Sequence, residues 1–119
     1  MPLGRQGEEF ASAYLIQDGY AVLIRNFRIR GGEIDIVARK GDDLIFVEVK
    51  TRRSSAYGYP EQGVTAAKAR FINRAIKEFV RKNRVSDAWY IRFDIIAIEW
   101  SIGEQTPIVR HIQNVALPT

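Results

Sequence analysis

The segment EIDIVARKGDDLIFVEVK, residues 33 to 50, constrains the fold more than any other part of this 119-residue chain. Two β-rich runs meet there at Gly41-Asp42, a turn pair, and the simplest path through them is an antiparallel hairpin. The turn sets the register, so Asp35 is predicted to lie across from Glu48 on one face, with side-chain roots about 4.5 to 5.5 Å apart. Carboxylates so placed repel, and one is forced to hold a proton at neutral pH unless a positive charge sits between them. A divalent cation supplies that charge. Ligation by Asp35, Glu48 and the Val49 carbonyl suits Mg²⁺ or Mn²⁺, hard ions that keep several waters and take a substrate phosphate. Lys50, two residues past Glu48 on the same face, is placed to reach that phosphate or an attacking water. These are the parts of metal-assisted phosphodiester hydrolysis. The competing reading is a solvated strand face on which Glu and Lys alternate, and a three-residue turn would reverse the register.

The remaining segments fall into place around the hairpin. Apolar residues at helical spacing predict a helix over about Leu3 to Asp18, ended by Gly19. A strand follows from Tyr20 to Arg30, broken by Gly31-Gly32. TRRSSAYGYPEQG reads as a polar loop, and Thr65 to Lys82 as a helix burying Ile72, Ala75, Ile76, Phe79 and Val80. The strand AWYIRFDIIAIEW is apolar on both faces, and a short strand from about Ile108 to Gln113 closes the chain. The order is α-β-β-β-α-β-β in a single domain over residues 1 to 119. With no cysteine in the chain, disulfides and thiolate metal sites are excluded, and the cytoplasm is the default compartment. Neither a signal peptide nor a membrane span is expected.

Charge is unevenly spread. Lys and Arg number 18 against 14 for Asp and Glu, yet residues 50 to 84 hold ten basic side chains and two acidic ones. Such a segment attracts a polyanion, for which a phosphate backbone is the commonest candidate, or else forms a solvated helix face. Arg52, Arg53, Lys68, Arg70 and Arg74 are the candidate phosphate contacts. Tyr57 and Tyr59 are placed to stack on an unpaired base or to cap the core, with Gln62 as a polar contact beside them. Glu8 is either a first-turn acid favoured by the helix dipole or a further carboxylate for the metal. Asp94 joins the site or anchors Arg25 or Arg28, and His111, the one histidine, reads as a structural hydrogen-bonding residue.

Several motifs carry a resemblance over nearly the whole chain. GEID, FVEVKTR and YGYPEQGVTAAK, with GxxGE at Gly4 to Glu8, RNFR at Arg25 to Arg28 and RFDII at Arg92 to Ile96, resemble the YraN-type family of the PD-(D/E)XK nuclease superfamily. The resemblance implies an α/β fold: a restriction-endonuclease-like α-β-β-β-α-β core with a central mixed sheet flanked by helices, plus a short C-terminal strand. It assigns Asp35, Glu48 and Lys50 to the D…E-x-K pattern and matches Glu8 to an acid that relatives supply from the first helix. Ile34 stands where many members have proline. The expectation is a Mg²⁺- or Mn²⁺-dependent endonuclease acting on DNA, with branched or otherwise structured DNA favoured. The alternatives are a nucleic-acid-binding module that keeps the fold without cutting and a protein-interaction domain. Symmetric cutting needs two active sites, which makes a homodimer the expected assembly.

Overall fold

Each helix of the protein ends in the same backbone device, with a different residue at its tightest point. In the computed structural model, which describes residues 3–53, 64–101, 103 and 105–118, α1 spans Leu3–Gln17 and α2 spans Ala66–Lys82. At the end of α1 the Tyr20 N–H reaches the Leu15 carbonyl at 2.9 Å, and Gly19 between them takes a φ of 89°. At the end of α2 the Val85 N–H reaches the Val80 carbonyl at 3.0 Å, and Arg84 holds the corresponding left-handed position at φ 51°. Both are Schellman closures, for which glycine is the unstrained choice. The arginine costs about 1 kcal/mol of backbone strain. At its start α2 is capped by Thr65, whose hydroxyl accepts the Lys68 N–H at 3.1 Å.

Between and after the helices run β1 (Ala21–Ile29), β2 (Gly32–Lys40), β3 (Asp43–Arg52), β4 (Tyr90–Glu99) and β5 (Ile108–Ile112). They form one mixed sheet in the order β1-β2-β3-β4-β5. Its pairs are antiparallel except β3 with β4, which lie parallel because α2 carries the chain back between them. The element order is the one expected, with small changes at the ends: Asp18 and Thr65 flank the helices, and β5 stops at Ile112. The hairpin register is also as expected, running from Lys40↔Asp43 to Ile36↔Val47.

Apolar side chains bury both faces of the sheet. On one face Ile72, Ala75 and Phe79 of α2 pack on Phe27, Val37, Phe46, Phe93 and Ile95. On the other, Ala11 and Leu15 of α1 pack on Ile36, Ala38, Ile45, Val47, Ile96 and Ile98. Strand β4 is buried on both faces from Phe93 onward, as its sequence predicts. No helix among the described residues is long and apolar enough to cross a membrane.

One strand breaks its alternation. Ile34 and Ile36, two positions apart, belong to opposite cores. Between them is Asp35, and in the register of β1 with β2 the facing position is Asn26, held in the left-handed region at φ 57°. Asparagine tolerates that conformation better than other side-chain-bearing residues. The irregularity falls on the residue that the sequence marks as most important.

Candidate functional site

Three carboxylates converge at the break in β2. Oxygens of Glu8, Glu33 and Asp35 all lie within 4.8 Å of one another. Glu8 is delivered by α1, which sits hard against β3: Gly7 is buried, and a Cβ added there would come within 1.9 Å of the Thr51 hydroxyl. Only a glycine lets helix and strand approach that closely. Asp35 Oδ2 accepts the Val49 N–H at 2.8 Å, so at this end of the hairpin a side chain takes the hydrogen bond that a backbone carbonyl would otherwise accept. Burial pushes the Asp35 carboxyl up to about 7. The Val49 N–H opposes that rise, while the charge of Glu8, a hydrogen bond shared with Glu8 and the charge of Glu48 add to it. Burial and the neighbouring acids thus both favour its neutral form.

Glu48 is reached from the other side. Its place in the alternation of β3 puts it with Leu44 and Phe46 on the α2 face, where Lys68 Nζ meets Oε1 at 3.0 Å. The second oxygen, Oε2, is buried and has no hydrogen-bond partner among the described residues. The predicted Asp35–Glu48 pair lies one step beyond the last recorded pair of the hairpin, Ile36↔Val47, and Asp35 also meets Glu8 of α1. Asp35 and Glu48 are coupled through charge. Lys50 follows Glu48 by two on β3 and shares its face by strand alternation.

The other candidates have varied settings. Lys68 pairs with Glu48, and its ammonium lies 5.8 Å from the Phe71 ring centre. Arg74 donates to the Arg30 carbonyl at 2.6 Å, pinning the β1–β2 turn beneath α2, so its guanidinium has an architectural task. Arg52 ends β3 opposite Glu99, while Arg53 and Arg70 are exposed. Tyr57, Tyr59 and Gln62 lie outside the described residues. Glu33 is the residue that the motif reading passed over. It also bonds the Arg28 Nε at 3.1 Å, and the signal for it was present in GEID, where it precedes Asp35 by two.

Asp94 and His111 form a separate buried network. Arg92 donates to both Asp94 oxygens, at 2.9 and 2.8 Å, and also reaches the Tyr20 hydroxyl at 2.8 Å. The Asn114 N–H adds a bond to Asp94 at 2.9 Å. His111 Nε2 lies 2.7 Å from Asp94 Oδ2, and its Nδ1 is 3.3 Å from the Tyr14 hydroxyl. His111 thus has the structural role expected of it. Asp94 anchors Arg92 rather than Arg25 or Arg28.

The donor set suits a hard divalent ion. It is all oxygen, and beside it Glu48 Oε2 is buried with no hydrogen-bond partner among the described residues. Glu8, Glu33 and Asp35 would hold such an ion, with Glu48 beside them.

Comparison with known proteins places this chain among a widespread set. Residues 7–98 match the model of a family described as "Uncharacterised protein family UPF0102". A UPF0102 protein of Geobacter metallireducens is 50% identical over 112 residues, covering 94% of this chain and 89% of its own length. UPF0102 proteins of Rhodococcus opacus and Caldicellulosiruptor saccharolyticus are 42% and 39% identical, each over at least 94% of both chains. The matched stretch includes Glu8, Glu33, Asp35, Glu48, Lys50 and Lys68, and on this evidence the chain belongs to the UPF0102 family.

Proposed function

We propose that this protein is a divalent-metal-dependent endonuclease of the PD-(D/E)XK type, hydrolysing phosphodiester bonds in DNA, with branched or structured DNA as the favoured substrate. The observation that carries the reading is the convergence of Glu8, Glu33 and Asp35 at a half-buried site where Asp35 is pushed up to about 7. A cation held there would offset the mutual repulsion of the three acids. The α-β-β-β-α-β order and the mixed sheet with a helix on each face support a restriction-endonuclease-like core.

Bound Mg²⁺ or Mn²⁺ would supply Lewis-acid polarisation of the scissile phosphate and a water of lowered pKa. The protein's own part is to hold and orient. Asp35 is fixed by the Val49 N–H, Glu8 by the contact of Gly7 with Thr51, and Glu48 by Lys68. Lys50 supplies a positive charge beside Glu48, where it steadies charge building on the phosphate. Arg53, Arg70 and Arg52 extend the positive surface along which a phosphate backbone would lie. Assembly as a homodimer in the cytoplasm completes the reading, since two cuts need two sites.

Purified protein incubated with labelled linear, flapped and four-way DNA in Mg²⁺ or Mn²⁺ tests it. Cleavage is expected, strongest on a structured substrate and lost in Asp35→Ala. Tight binding with no cleavage under either ion would replace the enzyme with a DNA-binding module.

A further inference from the structure

At the far end of α2 from Lys68, roughly 20 Å along the helix axis, lies a groove of about 710 Å³ that the nuclease reading does not use. Its lining is mixed, and the apolar part includes Leu23 and Ile24 of β1, which are 50% and 39% exposed, together with Trp89. Every charged residue lining it is basic: Arg28, Arg39, Lys82 and Arg84.

Two details give the rim significance beyond charge. Arg84 occupies the left-handed closing position of α2, where α1 uses Gly19 for the same turn. A strained arginine in place of an unstrained glycine puts a long cationic side chain on the groove at the expense of backbone comfort. Trp89 is also already covered on one face by the Arg39 guanidinium, 4.6 Å from its ring centre, which leaves less of it for stacking a base. Leu23 and Ile24 offer nothing to a phosphate. The groove therefore suits large apolar side chains carried on an acidic backbone better than it suits a nucleic acid.

A second copy of this chain fits poorly. Strand β1 is an edge of the sheet, and its exposed Arg25 and Arg28 would meet their own counterparts if two β1 strands paired. An acidic strand meets the opposite charge along that edge.

We infer that this groove is the docking site for an extended acidic peptide of a partner protein, whose apolar side chains enter beside Leu23, Ile24 and Trp89 and whose carboxylates meet Arg28, Lys82 and Arg84. Leu23, Ile24, Lys82, Arg84 and Trp89 are not members of the carboxylate cluster, and Arg28 alone links the groove to it, through its bond to Glu33.

The test is fluorescence anisotropy on the full chain with a fluorescein-labelled peptide of alternating aspartate and phenylalanine, nine residues long to match β1. The expected result is saturable binding, weakened roughly tenfold or more in the double variant Lys82→Glu, Arg84→Glu with its melting transition retained. Arg84→Gly provides a second readout of opposite signs: the melting temperature rises as the strained turn relaxes, while peptide affinity falls several-fold. The inference is overturned if the charge reversal leaves peptide binding unchanged, or if a lysine-phenylalanine control peptide binds equally well. It is also overturned if an oligothymidylate displaces the acidic peptide from the groove. Sedimentation showing a dimer that Leu23→Asp dissociates would give the surface to a second copy instead.

Discussion

Two aspartates, half-buried Asp35 on β2 and fully buried Asp94 on β4, have opposite surroundings. Asp94 is fully buried and receives bonds from Arg92 and the Asn114 N–H, with His111 at bonding distance. Burial alone would raise its pKa, yet the hydrogen bonds of His111, Arg92 and Asn114 and the Arg92 charge together bring it below the ordinary value. Arg92 is in turn held above its own ordinary value, chiefly by its bond to Asp94. Among the described residues Asp35 accepts the Val49 N–H, while Glu8 and Glu48 place negative charge beside it. A buried acid whose lone pairs and charge are met belongs to the scaffold, whereas one pushed toward its neutral form by neighbouring acids is a candidate cation ligand. Burial by itself does not separate the two cases, and the partners do.

The sharpest way to break this contrast is to neutralise each acid. Asp94→Ala strands Arg92 and His111 without their shared anion and is expected to lower unfolding stability by about 3–5 kcal/mol. Asp35→Asn is expected to act in the other direction in metal-free buffer at pH 8, since the amide oxygen still accepts the Val49 N–H while the repelled charge is gone. Urea titrations of both variants with a chelator present would measure the two effects. Equal losses would place both residues in the scaffold and remove the physical basis for a metal site.

The pH dependence follows the same division. Asp35 has a folded pKa near 7, above the unfolded value of about 3.9. Its contribution to stability is therefore fully present below pH ~4 and is lost as pH rises through 7. The loss is on the order of 2–4 kcal/mol. Asp94, lowered in the fold, contributes above the unfolded pKa and loses that contribution as pH falls through its folded value. Metal-free protein should thus lose stability from pH 4 to 8, and Asp35→Asn should flatten that decline. Adding Mg²⁺ should restore stability mainly at the alkaline end, where Asp35 is ionised. Thermal melts across pH, with and without the ion, check both slopes.

Next in size is the contact that delivers Glu8. Gly7→Ala would press a methyl group onto Thr51, whose Oγ1, Cβ and Cγ2 lie 1.9, 3.0 and 3.1 Å from the new atom. Threonine is branched at Cβ, so rotating it exchanges one clash for another and the helix must move. A cost of about 1–3 kcal/mol is expected, together with weaker Mg²⁺ uptake by calorimetry as Glu8 moves off Asp35. The Asp94 network should keep its geometry, seen as an unchanged His111 side-chain NMR signal.

Gly7 also shows what a reader of the sequence can and cannot see. The element order, the Gly41-Asp42 register and the buried strand β4 were legible because periodicity and turn chemistry are local. GxxGE was legible as a motif, but the meaning of its second glycine lies in Thr51, a contact across the fold that no local pattern contains. The break at Asn26 and Asp35 is a similar case. Strict alternation predicts Asp35 beside Glu48, whereas the structure also brings Glu8 and Glu33 to it, at a position that faces the left-handed Asn26. Asp94 is not assignable from local pattern because its partners combine Arg92, two residues away on the same strand, with His111 on β5.

The smallest effect bears on whether Glu48 belongs with Asp35 at all. Lys68 holds Glu48 Oε1 at 3.0 Å in a partly exposed pair, and such pairs contribute roughly 0–1 kcal/mol. Replacing it by Lys68→Met should barely change the melting temperature. It should, however, remove the cation that competes for Glu48, leaving Oε1 unpaired beside the already unpartnered Oε2. Apparent Mg²⁺ affinity is then expected to rise two- to fivefold, within the same ~1 kcal/mol. The increase should vanish in the double variant with Glu48→Gln, because the gain requires a charged glutamate. If Lys68→Met instead leaves ion affinity unchanged, Glu48 belongs with Lys68 on the α2 face, and the cation would have to be held by Glu8, Glu33 and Asp35 alone.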